Sequence, residues 1–274
     1  MIRDPELQAL REIALAAGRL QRSAAGEVRR IDYKAANDMV TDLDRRVEEL
    51  VLERLAAAFP GDAVAAEEGS ARRGGSGRTW LVDPLDGTTN YVHGHPAYAV
   101  SLACRDDAGD LLAAVHAPAL GELYLARRGA GAWREDLAAG TPPRPLRREA
   151  DVPLDRALLA TGFPYVRDRL VDRNARVVAA VLRRGCHGVR RCGSAALDLC
   201  WLGAGRLDGY WEWSLRPWDV AAGSLVAREA GVTVTDMDGR GGPLDGRHVV
   251  AGVGALHGTL LALVREVTAD DAEA

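Results

Sequence analysis

The stretch WLVDPLDGTTNYVHG, residues 80–94, decides how the chain is read. Trp80, Leu81 and Val82 are apolar and read as a buried strand, which runs straight into a turn and a helix start. The turn carries two carboxylates, Asp83 and Asp86, with Pro84 between them to fix the backbone. Such a pair can converge on one hard cation or bridge two. Gly87 lets the backbone bend closely, and the amides of Gly87, Thr88 and Thr89 then point out of a helix N-terminus, which suits a phosphate held by amides and metal together. Taken alone, Asp-Pro-x-Asp-Gly reads equally as an ordinary turn with its cap. Its surroundings favour the first reading. The strand before it is fully apolar, so both acids are expected at a sheet edge, where ligands of α/β proteins tend to sit. Glu67-Glu68 follows a second short apolar segment, and Trp218-Asp219 offers another acid at a helix start. Without cations such a cluster repels itself strongly.

Upstream of that stretch, Leu7, Leu10, Ile13, Ala14, Ala17 and Leu20 recur at helical spacing and predict an amphipathic helix from Pro5 to about Ala25. A second helix is predicted from Thr41 to Phe59. Thr41 or Asp42 can cap it, and Pro60-Gly61 stops it. Asp38, Thr41 and Asp44 then lie around its N-terminal end, where the helix dipole tolerates acids. The segment Val64 to Glu68 reads as a short strand, and the Gly- and Arg-rich Gly69 to Arg78 as a mobile loop. Downstream, Ala97 to Arg105, Leu111 to Ala117 and Gly121 to Arg127 suit antiparallel strands of a shared sheet.

The stretch Ala138 to Asp155 is the best boundary between halves, giving an N-terminal α+β half (1–140) and a C-terminal α/β half (150–274) in one compact unit. In the second half, Leu158 to Tyr165 reads as strand and turn, Arg169 to Arg184 as helix, and Gly193 to Gly205 as a helix of small residues. A strand through Leu207 to Trp213, a helix from about Trp218 to Ala230 and strands near Val232 and Val249 follow.

Composition narrows the class. The 274 residues are 47% apolar and 27% charged, enough for a sizeable core and a polar surface. The formal charge of −4 and the lack of an isolated Lys/Arg block argue against a nucleic-acid surface. Arg144 to Arg148 reads as a solvated loop, whereas Arg183 to Arg191 leads into a candidate site. Cys104, Cys186, Cys192 and Cys200 lack zinc-like spacing and read as buried free thiols of a reducing compartment. A charged N-terminus and the want of a long apolar run point to a cytoplasmic protein with no membrane partner. His93 and His95 read as loop residues, because the ion these acids suit prefers oxygen. Trp201, Trp211, Trp213 and Trp218 read as core.

Several segments together resemble one family. Asp38-Met39-Val40-Thr41-Asp42-Leu43-Asp44, the pair Glu67-Glu68, WLVDPLDGTTNYVHG, GSAALDL and PWDVAAGSLVAREAG look like the signature blocks of the inositol monophosphatases, in the family's order from Lys34 to Gly231. The resemblance implies a layered α-β-α-β-α sandwich with an antiparallel sheet in its first half. It implies Mg²⁺, two to three ions, with Glu67, Asp83 and the Leu85 carbonyl matching ligands of the first and Asp83, Asp86 and Asp219 those of the second. Glu67 would help hold a third. Thr88, paired with Asp44, matches the group that orients and deprotonates the attacking water, and the Gly87 and Thr88 amides match a phosphate cradle. Asp86, Gly193, Ala195 and Glu212 match positions that touch the polyol, while Lys34 and Arg191 add positive potential. A small phosphomonoester substrate, myo-inositol monophosphate first, sensitivity to lithium and a homodimer are implied likewise. Histidinol phosphate, fructose 1,6-bisphosphate, 3′-phosphoadenosine 5′-phosphate and a non-catalytic binding role stay open. Discrimination among substrates rests on Glu212, Arg191 and Phe163-Pro164-Tyr165.

Overall fold

The computed structural model describes residues 4–26, 31–35, 38–149, 151–164, 169–245 and 247–269. In chain order the elements are α1 (Pro5–Ser23), β1 (Ile31–Ala35), β2 (Asp38–Thr41), α2 (Asp42–Ala58), β3 (Ala63–Ala66), β4 (Ala71–Arg72), β5 (Thr79–Asp86), α3 (Thr88–Val92), β6 (Ala99–Asp106), β7 (Gly109–Ala117), β8 (Glu122–Arg127), β9 (Gly131–Asp136) and β10 (Arg144–Pro145). Then come β11 (Leu158–Thr161), α4 (Arg169–Arg183), β12 (Gly188–Arg190), α5 (Ala195–Gly203), β13 (Gly209–Trp213), α6 (Pro217–Glu229), β14 (Thr233–Thr235), β15 (His248–Gly252) and α7 (Leu256–Thr268).

Two sheets organise the molecule, one of eight strands in the order β10-β9-β8-β7-β6-β5-β3-β4 and one of five in the order β12-β11-β13-β15-β14. Helices α1 and α2 bury Leu7, Leu10, Val47 and Val51 against one face of the large sheet. Its other face, made of small residues such as Ala99, Ala103 and Ala113, receives α5 and α6 through Ala196, Leu197, Ala221 and Leu225. Beyond these two helices lies the second sheet, covered on its far side by α4 and α7. The layers therefore run α-β-α-β-α, the expected sandwich. Helices α5 and α6 are covered on all sides, which explains their Ala and Gly content. A Cβ on Gly223 would stand 2.7 Å from Leu199 Cβ and 2.9 Å from the Ala196 carbonyl, so larger residues would force the helices apart.

Several expectations need correction. The large sheet is antiparallel except for one parallel pair, β3 with β5. Strand β5 is flanked by β6 and β3, so Asp83 and Asp86 stand at the end of an internal strand and not at a sheet edge. The Gly69 to Arg78 segment contains β4 and is tied down: Arg72 donates to the Asp62 and Phe59 carbonyls, and Gly75 N–H to the Gly61 carbonyl. The basic stretch from Arg144 forms β10, and Arg148 Nη2 reaches Asp208 Oδ1 at 2.8 Å. Elements β1, β2, β9, β12 and α7 had no sequence expectation. Among the described residues the cysteines are free, with Cys192 only half-buried. Of the tryptophans, Trp211 and Trp213 are buried while Trp201 and Trp218 are partly covered. No helix among the described residues is long and apolar enough to cross a membrane.

Helix α1 meets β7 at one close contact. A Cβ on Gly18 would lie 2.1 Å from Nδ1 of His116, a buried ring whose Nδ1 also sits 2.9 Å from the Ala14 carbonyl. Gly18→Ala would gain about 1 kcal/mol of helix propensity, but displacing a packed ring costs about 1–3 kcal/mol. The collision wins, and thermal melting of Gly18→Ala should fall by about 2–4 °C; an unchanged or raised midpoint would show that the α1–β7 contact can yield.

Candidate active site

The capping of α2 starts the site. Thr41 is the N-cap, and its hydroxyl accepts from Leu43 N–H, while Asp44 Oδ2 accepts from Thr41 N–H at 2.8 Å and from its hydroxyl at 2.5 Å. The other oxygen of Asp44 accepts from the Thr88 hydroxyl at 3.1 Å, so a helix cap and the turn after β5 share one buried carboxylate. Thr88 also lies 3.0 Å from the Leu85 carbonyl.

Pairing of β3 with β5 continues one step further, Glu67 N–H donating to the Val82 carbonyl at 3.1 Å, and this places Glu67 beside Asp83. Glu48, buried on α2, fixes the same turn by accepting from Glu68 and Ser70 N–H at 2.9 and 3.3 Å. The register of β5 on β6 shifts between Asp83 and Asp86, an irregularity that turns both acids toward one side. Asp83 Oδ1 accepts from Leu85 N–H at 2.9 Å. Asp86 Oδ2 accepts from the Ser194 hydroxyl at 2.7 Å and from Ala196 N–H at 2.8 Å, so it caps α5. Asp219 Oδ2 accepts from Arg216 N–H at 2.7 Å in the first turn of α6.

Two glycines let these segments meet. Gly87 has φ +95°, and a Cβ there would stand 2.9 Å from the Ala97 carbonyl and 3.2 Å from that of Gly193. Gly193 itself has φ +85°. Asn90 Nδ2 ties the junction by donating to the Ala97 and Cys192 carbonyls at 2.6 and 2.7 Å.

The result is one cavity of about 560 Å³ lined by Glu67, Asp83, Leu85, Asp86, Gly87, Thr88, Arg191, Gly193, Ala195, Glu212 and Asp219, with Met39, Phe163, Pro164 and Trp218 among its apolar walls. Every site residue expected from sequence lines it except Asp44, which stands behind Thr88. The side chains of Lys34 and Asp38, and Tyr165 altogether, lie outside the described residues. His93 and His95 are exposed near α3 and do not line the cavity. Sequence reasoning missed Glu48, Ser194, Asn90 and Gly162. Ser194 and Asn90 stand inside the quoted motifs, and only the fold shows what their side chains hold.

The electrostatics are those of crowded acids. Burial pushes Asp83 well above the ordinary carboxylate range, and the charges of Glu67, Asp86 and Asp219 push it further. Asp219 rises for the same reasons, burial first and then Asp86 and Glu67. Asp86 is raised by burial to about 6, with the bonds from Ser194 and Ala196 opposing the rise. Burial also raises Asp44, against its hydrogen bonds from Thr41 and Thr88. Glu212 is raised to about 7 by burial, although the Tyr210 hydroxyl donates to it. The donors around the cavity are oxygens, which suits a hard cation. Among the described residues, no group of three or more His, Cys, Asp or Glu is gathered closely enough to hold a metal ion. Mg²⁺ asks for less, since it usually takes one or two carboxylates and fills its other positions with water and substrate phosphate.

Residues 3–269 match the sequence profile of the Inositol monophosphatase family. The chain belongs to this family. An inositol-1-monophosphatase of Mesorhizobium japonicum is 39% identical over 269 residues, covering 97% of this chain and 98% of that protein. A putative Nus factor SuhB of Neisseria meningitidis serogroup B is 40% identical over 251 residues, covering 90% and 93%. The crystal structure of the extragenic suppressor protein suhB from Bartonella henselae superposes with a TM-score of 0.88 at 33% identity, covering 96% of this chain and 99% of that one. Family membership thus spans both sheets and the cavity between them.

The raised carboxyls give a sign-definite expectation. A carboxyl with its folded pKa above the unfolded value of about 4 adds stability only while protonated, and that contribution is lost as pH rises through the folded value, about 6 for Asp86. A divalent cation held among these acids offsets both causes of the rise, the burial of their charge and their mutual repulsion. Thermal melts should therefore show a larger Mg²⁺-dependent rise in Tm at about pH 8 than at about pH 5.5. Equal rises, or none at either pH, would count against mutual repulsion of these acids.

Proposed function

We propose that the cavity catalyses Mg²⁺-dependent hydrolysis of a small phosphomonoester, with myo-inositol monophosphate the first substrate. The observation that carries this reading is the meeting, in one cavity, of four carboxylates from three segments with the Thr88–Asp44 pair and the Gly87 turn. Glu67, Asp83, Asp86, Asp219 and the Leu85 carbonyl would hold two to three Mg²⁺ ions. Bound there, Mg²⁺ supplies Lewis-acid charge that lowers the pKa of water and neutralises the leaving oxygen.

The chain's own groups do the rest. Gly87 and Thr88 amides hold the phosphate. The Thr88 hydroxyl orients a water and passes its proton to Asp44, a base whose raised pKa suits the task. Water oxygen bonds to phosphorus as the ester P–O bond breaks, and the departing alkoxide takes up a proton from solvent. Asp86, Gly193, Ala195 and Glu212 orient the alcohol portion, and Arg191 adds positive potential. Neither a Ser nor a Cys nucleophile is needed; Cys192, between the lining residues Arg191 and Gly193, has its thiol pushed up to about 11 by burial. The same reading takes 1–140 and 150–274 as halves of one catalytic unit, in a cytoplasmic homodimer inhibited by lithium at a Mg²⁺ position.

A second reading is contact with a transcription complex. The name Nus factor, carried by the Neisseria relative, favours it. Phosphate release from a panel of polyol, sugar, histidinol and nucleotide monophosphates under Mg²⁺ titration separates the two. Turnover is expected, abolished by Asp86→Asn by about 2–4 orders of magnitude and suppressed by lithium. Folded protein inactive on the whole panel would leave the binding role as the better reading.

Glu212 tests the alcohol side. A Cβ on Gly162 would collide with its carboxyl, the nearest oxygen being 1.9 Å away, so Gly162→Ala must push Glu212 off its place. Loss of a hydrogen bond from a charged group predicts kcat/KM lower on the order of 10–100-fold, mostly through KM. Wild-type KM in Gly162→Ala would remove Glu212 from the substrate contacts.

A further inference from the structure

We propose that Gln21, on α1 and outside the cavity, is a positioning residue for the turn that presents Asp83 and the Leu85 carbonyl. The inference rests on the phosphatase reading above.

Gln21 is fully buried, 0% exposed, on a helix face that otherwise buries Leu7, Leu10, Ile13, Ala14 and Ala17. Its Nε2 donates to the Pro84 carbonyl at 2.7 Å. Its Oε1 is buried and meets no hydrogen-bond donor among the described residues. Which end of the amide faces the turn is unambiguous, because only the N–H end can meet a carbonyl. Its own main-chain carbonyl accepts from the Tyr91 hydroxyl at 2.7 Å, so α3 clamps the helix that carries it. Tyr91 stands edge-on to Tyr98, with ring centroids 4.8 Å apart, which fixes the clamp in turn.

The peptide between Pro84 and Leu85 is thereby held at both ends. Gln21 takes its oxygen, and Asp83 Oδ1 takes its N–H at 2.9 Å. A hydrogen-bonded chain runs from Gln21 through that peptide to the Asp83 carboxylate. The next carbonyl, that of Leu85, is one residue further on and receives the Thr88 hydroxyl at 3.0 Å. Rotation of this peptide would turn Asp83 and Leu85 together, and Gln21 is the side chain that opposes it from the helix side.

A buried amide with a stranded oxygen is a poor choice for packing alone, since an apolar side chain of the same length would strand nothing of its own. Its donor has a reason to be there if the Pro84 carbonyl must be held. Groups one hydrogen bond behind a metal ligand commonly set its orientation and affinity.

The test is calorimetric titration of substrate-free full-length protein with Mg²⁺, with steady-state kinetics and thermal melts alongside, for wild type, Gln21→Met and Tyr91→Phe. Gln21→Met keeps the length and removes the donor. Its Mg²⁺ dissociation constant should rise on the order of 10-fold, with KM for the phosphomonoester at saturating Mg²⁺ unchanged and Tm close to wild type. Tyr91→Phe should shift the constant in the same direction by less. Wild-type Mg²⁺ affinity in folded Gln21→Met overturns the inference and leaves the phosphatase reading standing. Should Gln21→Met not fold, wild-type affinity in folded Tyr91→Phe overturns it instead. Wild-type protein that neither binds Mg²⁺ nor releases phosphate overturns both.

Discussion

Mutual repulsion among Glu67, Asp83, Asp86 and Asp219 is the constraint on which the rest of the structure depends. Burial raises the proton affinity of Asp83 and Asp219, and the charges of the neighbouring acids raise it further. A fold that tolerates this needs rigid supports on every side. The supports are visible as hydrogen bonds that leave each acid little freedom: Leu85 N–H on Asp83, Ser194 and Ala196 on Asp86, Arg216 N–H on Asp219. Helix starts recur among them, because a partial positive charge there offsets the crowding.

Those supports come from different layers. Asp44 belongs to a helix on the outer face of the large sheet, Asp83 and Asp86 to the sheet, Ser194 and Asp219 to the central helices, and Glu212 to the second sheet. The cavity is thus a property of the stacked layers. The small residues of α5 and α6 permit the close stacking, and Gly87 and Gly193 permit the chain to pass through the junction.

Much of this was legible in the sequence. Helical spacing in residues 7–20 and the cap at Thr41 gave α1 and α2, and the apolar run into Asp83 gave β5. The acids were legible because several segments each bring one, while Asp-Pro-x-Asp-Gly alone reads equally as a turn. What escaped notice did so for physical reasons. Strands such as β4 and β12 are two or three residues long and carry no alternation. Residues 256–268 have helical periodicity but stand far from any motif. The internal place of β5 depends on β3 returning parallel to it, a pairing set by tertiary contacts. Gln21 looks like one more polar residue on α1, and its burial appears only once the helix is docked.

Asn90 has a bearing on how the chain is made. Its amide joins the Ala97 carbonyl to that of Cys192, 95 residues apart in order of synthesis. When the ribosome has delivered the large sheet, Glu67, Asp83 and Asp86 have already emerged, whereas Ser194, Ala196 and Asp219 are still to come. At that stage the chain carries these charges with Leu85 N–H on Asp83 but without the Ser194 and Ala196 groups that hold Asp86, so until the central helices arrive protons, water or captured cations are what can offset that charge.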